Sequence, residues 1–210
     1  MSPIFGRSSP RQVVEAVERF GAGMTGIRPG ALSTDRLILR RWRESDLEPF
    51  AALNADPEVM RHFLRPLSRA DSDAFVERIE ARFDERGYGL WAVERLDDGM
   101  FLGFTGLAYQ DFAAPFTPCV EVGWRLAAFA WGHGYATEAA RAALRFGFEE
   151  ARLAEIVSFT SHGNAASIRV MEKLGMRRDP ADDFDYPNLP DGHPLRPHVL
   201  FRLESQEFMR

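Results

Sequence analysis

The sequence has a single cysteine and a single lysine, Cys119 and Lys173, among its 210 residues. One cysteine cannot form an internal disulfide, which argues against a disulfide-built scaffold and favours a reducing compartment. Cys119 lies in an apolar, proline-flanked run, PFTPCVEV. This setting favours an inert structural thiol over a catalytic nucleophile.

Long apolar runs and clustered charge are also missing. No apolar run approaches the ~18 residues that a transmembrane helix needs, and the N-terminus shows no basic segment followed by an apolar stretch. The formal net charge is −5, and the arginines are spread along the chain. We therefore expect a cytoplasmic protein with no membrane partner and no nucleic-acid partner.

The chain divides near residue 31. Residues 10–20 carry Val13, Val14, Val17 and Phe20 at helical spacing, and a glycine-rich stretch, GAGMTGIRPG, follows. We interpret residues 1–31 as an N-terminal helix on a flexible linker, with a dimerisation or lid role as the alternative. Residues 32–210 form the predicted main domain.

The main domain begins with a predicted strand at 37–42, followed by two helices. Ser45 is the expected N-cap of the first helix and Ser68 that of the second, which ends near Gly87. Three antiparallel strands then follow at 90–96, 101–109 and 119–126, the first two joined by a turn at 97–99.

The second half alternates helices and strands. Helices are predicted at 137–151 and after Asn164, the latter closed by Gly175, with strands at 155–160 and 199–203 and a long loop at 179–197. Strand–helix–strand alternation predicts parallel pairing. The fold class is therefore α/β with a mixed sheet of about seven strands and helices on both faces.

The segment WGHGYATEAA, beginning at Trp131, carries the sharpest functional signal. Gly132 and Gly134 allow a tight turn, and the helix that follows offers unpaired amides and its positive dipole end. This arrangement suits a phosphate or pyrophosphate, although a plain glycine turn is the alternative. The Lys-Ser/Thr of a P-loop is absent, since Tyr135 and Ala136 stand there.

Two further segments point toward the same ligand. Asn164 is the expected N-cap of its helix, and Ser167 lies in the first turn, so both lie at the carboxyl end of the preceding strand. In VEVGWRL, residues 120–126, Gly123 interrupts a strand and suggests a bulge. A bulge would splay the strand from its parallel neighbour and free backbone groups for an extended, amide-bearing ligand.

Together these strings resemble the GNAT superfamily of acyl-CoA-dependent N-acetyltransferases, and within it the Rim-type branch of ribosomal-protein N-terminal acetyltransferases. The supporting strings, in order, are LSTDRLILRRW, GLWAVERLDDGMFLGFTGL, VGWRLAAFAWGHGYATEAA and NAASIRVMEKLGM. The resemblance covers residues 32–203 and implies a GNAT-like fold, acetyl-CoA as acyl donor and no metal.

The resemblance also implies residue roles. Glu121 would be the general base and Ser167 would protonate or orient the leaving thiolate. The cofactor would be held by Trp124, Arg125, Leu126, Gly132, His133, Gly134, Tyr135, Ala136, Thr137, Asn164 and Arg169. Of these, residues 124–126 would pair with the pantetheine arm through their backbone.

The sequence departs from the superfamily pattern at two positions. Met171 stands where many GNAT enzymes have a catalytic tyrosine, and Phe129 replaces a usual Arg or Gln. The acceptor pocket would involve residues 63–67, 88–91 and 182–193, whose aspartates Asp182, Asp183 and Asp185 would suit a cationic amine or simply form a solvated loop.

The expected reaction is acetyl transfer to a primary amine, on a peptide N-terminus or a small molecule, by a monomer or homodimer. A non-catalytic acyl-CoA-binding protein on the same fold is the main alternative. An enzyme that uses succinyl-CoA or another acyl-CoA is the other, which a cavity near Leu126 with a free arginine would favour.

Overall fold

The computed structural model describes residues 30–209. The predicted N-terminal helix lies outside the described residues. The first half of the fold consists of β1 (Leu32–Ser33), β2 (Leu37–Arg40), α1 (Leu47–Ala55), α2 (Arg69–Arg86), β3 (Leu90–Arg95), β4 (Phe101–Gln110) and β5 (Cys119–Leu126).

The second half consists of α3 (Tyr135–Arg145), β6 (Glu155–Ser161), α4 (Ala165–Lys173), β7 (Arg177–Arg178), β8 (Phe184–Asp185), β9 (Pro197–Glu204) and α5 (Ser205–Phe208). A π-helical turn, Phe146–Glu150, extends α3. Short 3₁₀ turns lie at Glu44–Asp46, Val59–His62, Ala128–Ala130 and Pro180–Asp182.

The strands form one mixed sheet, which confirms the predicted α/β class. Its order is β1-β2-β3-β4-β5-β6-β9-β7, with β8 also paired to β9. The described residues contain nine strands where about seven were predicted, because the two-residue strands β1, β7 and β8 are too short to give a periodic pattern.

Local signals predicted several elements well. Ser68 caps α2 by accepting a hydrogen bond from the amide of Asp71, and Gly87 ends that helix with a φ of 73°. The bounds of β5 match the predicted strand residue for residue. These features depend on neighbours in the sequence, which is why the sequence predicts them.

The predicted Ser45 cap is wrong. A 3₁₀ turn precedes α1, and Asp46 stands at the N-cap position. The Asp46 carboxylate accepts hydrogen bonds from the Arg40 guanidinium at 2.7 and 2.8 Å and from the Arg43 amide at 2.8 Å. Because Arg40 is buried, its charge needs a carboxylate partner, and this requirement places Asp46 there.

Strand direction was predicted only in part. β5 and β6 are parallel, as the alternation of strand and helix implied, but β6 and β9 are antiparallel. The segment after α4 first forms β7 and β8 on β9 before the chain enters β9 itself. β9 therefore begins beside Ser161, at the end of β6, and runs back along β6 in the antiparallel direction.

The core lies along the central strands. Its largest fully buried side chain is Trp91 on β3, which packs edge-on against Phe83 of α2 and Phe146 of the π turn. A second cluster joins α1 and α2 to β4 through Phe50, Val76 and Phe104. The helices are thereby fixed on the sheet, which holds the central strands rigidly in place.

The central strands β5 and β6 pair at only one position, Glu121 with Val157. Beyond that pair they part, and a wedge opens between them. The predicted splay is therefore present, but the predicted bulge at Gly123 is not, since the β4–β5 register runs without a break from Cys119 to Leu126.

Candidate active site

A cavity of about 930 Å³ opens along the wedge between β5 and β6. It collects the residues that the sequence predicted for the site. Glu121 and Ser167 line it, together with Trp124, Arg125, Leu126, Gly132, Gly134, Tyr135, Ala136, Thr137, Asn164 and Arg169. His133 alone of the predicted set does not line the cavity.

The glycine turn before α3 is held from outside the cavity. Gly132 and Gly134 both have left-handed backbones, with φ of 78° and 81°. Arg36 donates from Nη1 to the His133 carbonyl oxygen at 3.1 Å and stacks its guanidinium 4.7 Å from the Tyr135 ring. The turn and the amide-bearing start of α3 therefore face the cavity as a fixed cradle.

Asn164 is fixed by two hydrogen bonds. Its Oδ1 accepts from the Ser167 amide at 3.2 Å, which is the predicted cap, and its Nδ2 donates to Thr160 Oγ1 at 2.9 Å. The Ser167 hydroxyl makes no hydrogen bond to another residue in the described chain. It is left able to donate into the cavity.

The backbone of β5 has two edges with different surroundings. The Ala127 amide donates to the Leu102 carbonyl, and the Gly123 carbonyl accepts from Thr105 Oγ1, so these residues turn their polar groups toward β4. In an antiparallel ladder the intervening residues turn theirs the other way. Trp124 and Leu126 therefore face the wedge, although the Leu126 carbonyl already accepts from the Trp131 indole N–H at 2.8 Å.

By the same alternation, the backbone of Arg125 faces β4 opposite Phe104. The predicted pairing of the Arg125 backbone with a ligand arm is therefore not favoured by this geometry. What Arg125 contributes to the cavity is its side chain.

Glu121 is a half-buried acid that lines the cavity. Its Oε2 accepts one hydrogen bond, from Gln110 Nε2 at 2.6 Å, and no cation of the described chain pairs with it. Burial raises the pKa of Glu121 to about 8, and the Gln110 hydrogen bond opposes that rise only in part. A carboxyl group with a pKa near neutrality can accept and release a proton during a reaction.

Several cavity residues were not predicted from the sequence. The cavity is also lined by Arg61, His62, Gln110, Phe159 and His198. They come from four distant segments, so no motif links them. Gln110 carries the one usable signal, since it lies at the end of a strand that pairs directly with the strand of Glu121.

The acceptor pocket predicted from the sequence is only partly present. Phe63, Leu64, Leu90, Tyr186, Asn188 and Leu189 line the cavity as expected. Trp91 is instead fully buried in the core.

The three aspartates expected to attract a cation are ion-paired outside the cavity. Asp182 pairs with Arg202 at 2.9 Å, Asp183 with Arg178, and Asp185 with Arg196 at 3.5 Å. None of the three lines the cavity. The surface-loop alternative considered for these aspartates therefore fits better than a cation-binding one.

Within residues 30–209, no group of three or more His, Cys, Asp or Glu side chains could hold a metal ion. Cys119 is buried, and burial raises the pKa of its thiol well above the usual range, so it has little thiolate character. No helix in this part of the chain is long and apolar enough to cross a membrane.

The sequence matches the acetyltransferase (GNAT) domain family over residues 36–177, which is more than half of the chain. The chain belongs to the GNAT acetyltransferase family. The wedge and the glycine turn of this GNAT domain are both present in the described structure, and GNAT domains bind acetyl-CoA.

Two relatives in Bacillus subtilis resemble this GNAT protein over most of their length. The uncharacterized protein YkkB is 37% identical over 148 residues, which cover 69% of this chain and 84% of YkkB. The uncharacterized N-acetyltransferase YnaD is 29% identical over 149 residues, which cover 70% of this chain and 83% of YnaD.

A solved structure shares the architecture. The acetyltransferase (GNAT family) of Bacillus anthracis has a TM-score of 0.70 and 25% identity, and the match covers 84% of this chain and 99% of that one. Family and fold thus agree, and this chain is a GNAT N-acetyltransferase by family.

Proposed function

We propose that this enzyme transfers the acetyl group of acetyl-CoA to a primary amine, on a small molecule or a peptide N-terminus, by direct attack within a ternary complex. The observation that carries the proposal is Glu121, an unpaired carboxyl group with a raised pKa in the wedge between β5 and β6. The four ordered sequence strings further support placement in the Rim-type branch.

The glycine turn would hold the CoA pyrophosphate. Its φ values of 78° and 81° direct backbone amides toward one point, and α3 adds its first unpaired amides and positive dipole end. Arg169 on α4 also lines the cavity and would add a positive charge. The backbone cradle explains why Phe129 can replace the usual polar residue.

The pantetheine arm would add to the exposed edge of β5. The wedge-facing amide and carbonyl of Trp124 are suitably directed for such pairing, which resembles the addition of a strand. Asn164, already fixed by Thr160, keeps one N–H of its amide group for the arm.

Acetyl transfer requires a neutral amine to attack the thioester carbonyl carbon. Glu121 would take the amine proton, directly or through a water, as the C–N bond forms. The Leu126 amide would donate to the developing oxyanion. When the C–S bond breaks, the Ser167 hydroxyl would donate a hydrogen bond that orients and stabilises the thiolate, the role that Met171 cannot fill, and the thiolate would take its proton from solvent.

A non-catalytic acyl-CoA-binding protein is the competing function. It would need the glycine turn and the wedge but no proton acceptor. A half-buried carboxylate without a cation partner is unfavourable for stability, so its presence in the cavity favours an enzyme. An acyl group that carries a carboxylate, such as succinyl, is the other alternative, and Arg125, which lines the cavity beside Leu126 without an anionic partner in the described chain, meets the condition that would favour it.

Isothermal titration with acetyl-CoA tests the cofactor site, with desulfo-CoA, ADP and ATP as comparisons. We expect micromolar binding of acetyl-CoA, and at least a tenfold loss in Gly134→Val, because Val is strongly disfavoured at a φ of 81°. Gly163→Val is the control, since no atom lies within 4 Å of a Cβ there and its φ is not left-handed. If wild-type protein fails to bind acetyl-CoA, the proposed function is wrong.

Glu121→Gln tests the catalytic role directly. We expect kcat to fall by roughly 100-fold or more, because glutamine cannot accept the amine proton, while acetyl-CoA affinity stays within about twofold. Glu150→Gln, at the exposed end of the π turn, is the matched control. Full turnover in Glu121→Gln would favour a different base. Absence of turnover in both the wild-type protein and Glu121→Gln would favour the binding-protein alternative.

A further inference from the structure

Arg125 is a half-buried cation without an anionic partner. None of the ion pairs among residues 30–209 involves it, and in this part of the chain the only hydrogen bond of its side chain runs from Nη1 to Asn54 Oδ1 at 2.5 Å. Its Nε is buried and makes no hydrogen bond in the described chain. Burial of the guanidinium lowers the pKa of Arg125 to about 10, because its surroundings disfavour the charged form.

The guanidinium is nevertheless held firmly in one place. It lies 4.1 Å from the centre of the Phe63 ring, 5.4 Å from Phe104 and 5.8 Å from Phe75. Asn54, fully buried, donates from Nδ2 to Ser72 Oγ at 2.9 Å, and this bond fixes the amide oxygen that Arg125 uses. Neutral groups thus position the charge without neutralising it.

The cavity around Arg125 offers little negative charge. Its charged lining consists of Glu58, Arg61, Glu121, Arg125, Arg169 and Lys173, with His62 and His198 beside them. The aspartates of the nearby loop are paired elsewhere. This lining suits an anionic group of a ligand better than a polyamine.

Arg125 also has a defined position relative to Glu121. The two residues are four apart on β5, so their side chains leave the same face of the sheet with Cα atoms about 13 Å apart. Both side chains line the same cavity, so one ligand can contact the guanidinium at one end and present its amine to Glu121, directly or through a water, at the other.

We propose that Arg125 binds a carboxylate of the acceptor, so that the substrate is an amine that also carries a carboxylate, of the amino-acid class. This inference rests on the proposed acetyltransferase function. The guanidinium N–H groups that Asn54 does not use, on Nη1 and Nη2, would donate to the two carboxylate oxygens, a pairing that matches the planar geometry of both groups. The amine of the same molecule would face Glu121.

Matched pairs of acceptors test this inference. L-leucine and L-phenylalanine are each compared with their decarboxylated amines, isopentylamine and phenethylamine, in steady-state kinetics with acetyl-CoA. We expect wild-type enzyme to prefer the amino acid by at least 30-fold in kcat/KM, mostly through KM. In Arg125→Met this ratio should fall to near one, and in Arg125→Lys it should take an intermediate value.

Arg78→Met is the matched control variant. Arg78 also stacks on Phe75, at 5.6 Å, but it is exposed and does not line the cavity, so the acceptor ratio should stay at the wild-type value. Melting temperatures separate binding from structural roles. Arg125→Met should melt near the wild-type temperature, because the gain from removing an unpaired half-buried charge is offset by the loss of the hydrogen bond to Asn54.

Three outcomes would overturn the inference. One is an acceptor ratio that Arg125→Met and Arg125→Lys leave at the wild-type value. Another is a lowered melting temperature together with an equal loss on acids and amines, which would indicate a structural role. The third is that the wild-type enzyme uses succinyl-CoA and Arg125→Met does not, which would indicate that Arg125 binds a carboxylate of the acyl group and not of the acceptor. Absence of acetyl-CoA binding in titration would instead overturn the proposed function itself.

Discussion

At the scale of the single residue, the raised pKa of Glu121 predicts how both catalysis and stability depend on pH, and catalysis comes first. Because its pKa is raised to about 8, the carboxyl group is mostly protonated at pH 6.5 and mostly ionised at pH 9. A base must be ionised to act, so ionisation of Glu121 should add about a tenfold rise in kcat/KM per pH unit below pH 8 and none above it, beyond the rise that comes from deprotonation of the acceptor amine. Initial rates from pH 6 to 9.5 measure this profile. A profile that Glu121→Gln shares in full would assign the rise to the acceptor amine.

The second consequence concerns stability. The ordinary pKa of glutamate, 4.5, applies to the unfolded chain, whereas the folded pKa is about 8. The unfolded state therefore binds fewer protons between these values, and the protein loses stability as the pH rises from 4.5 to 8. Glu121→Gln removes this loss, so its melting temperature should exceed that of wild type by several degrees at pH 8.5 and by less at pH 5.5. Thermal melts at both pH values measure the difference, and a gain of equal size at both would contradict the raised pKa.

At the scale of elements, β4 lies against β5 more closely than a side chain allows. A Cβ on Gly103 would come within 2.1 Å of the Arg125 carbonyl oxygen and 2.8 Å of the Leu126 Cα, and the φ of Gly103 is 135°. Gly103→Ala should therefore lower the free energy of unfolding by about 3 kcal/mol, from overpacking and backbone strain together. Urea denaturation measures this change. Gly163→Ala, with nothing within 4 Å, serves as control, and equal midpoints for the two variants would contradict the close approach.

The elements also show what a sequence can and cannot predict. The Ser68 and Asn164 caps and the bounds of β5 were predictable because each depends on residues within one turn or one strand. The direction of β9 was not, because it depends on how a long segment folds back over the sheet. The bulge predicted at Gly123 is absent for a related reason. Close approach between strands occurs instead at two glycines of β4, Gly103 against β5 and Gly106 against β3, and the local pattern of β5 does not reveal them.

The same division applies to the candidate site. Residues in the glycine turn and on α4 were predicted because they belong to contiguous motifs, and they line one cavity as expected. The lining residues His62 and His198 come from segments far apart in the chain, and the ion pairs of the loop aspartates form with arginines elsewhere in the chain. The sequence predicted a cofactor-binding role for the backbone of Arg125. The position of its side chain depends on Phe63 and Asn54, which lie about 60 to 70 residues away in the chain, so the sequence could not predict it.

At the scale of the whole molecule, the sheet consists of two parts joined across β5 and β6 by a single backbone pairing, Glu121 with Val157. In the proposed complex, acetyl-CoA fills the wedge and contacts both parts, from β5 and the turn before α3 to α4. A ligand that binds only the folded state stabilises it, by about 2.7 kcal/mol at a concentration 100 times Kd.

Acetyl-CoA at that concentration should therefore raise the melting temperature by roughly 3 °C or more, whereas ADP at equal concentration should raise it much less. Hydrogen exchange can localise the effect. Amides of β6 and α4 should exchange more slowly with acetyl-CoA bound, because local opening of the wedge would require the ligand to leave. Slower exchange confined to the turn before α3 would instead indicate that only the pyrophosphate end is held, and that the wedge is not the pantetheine site.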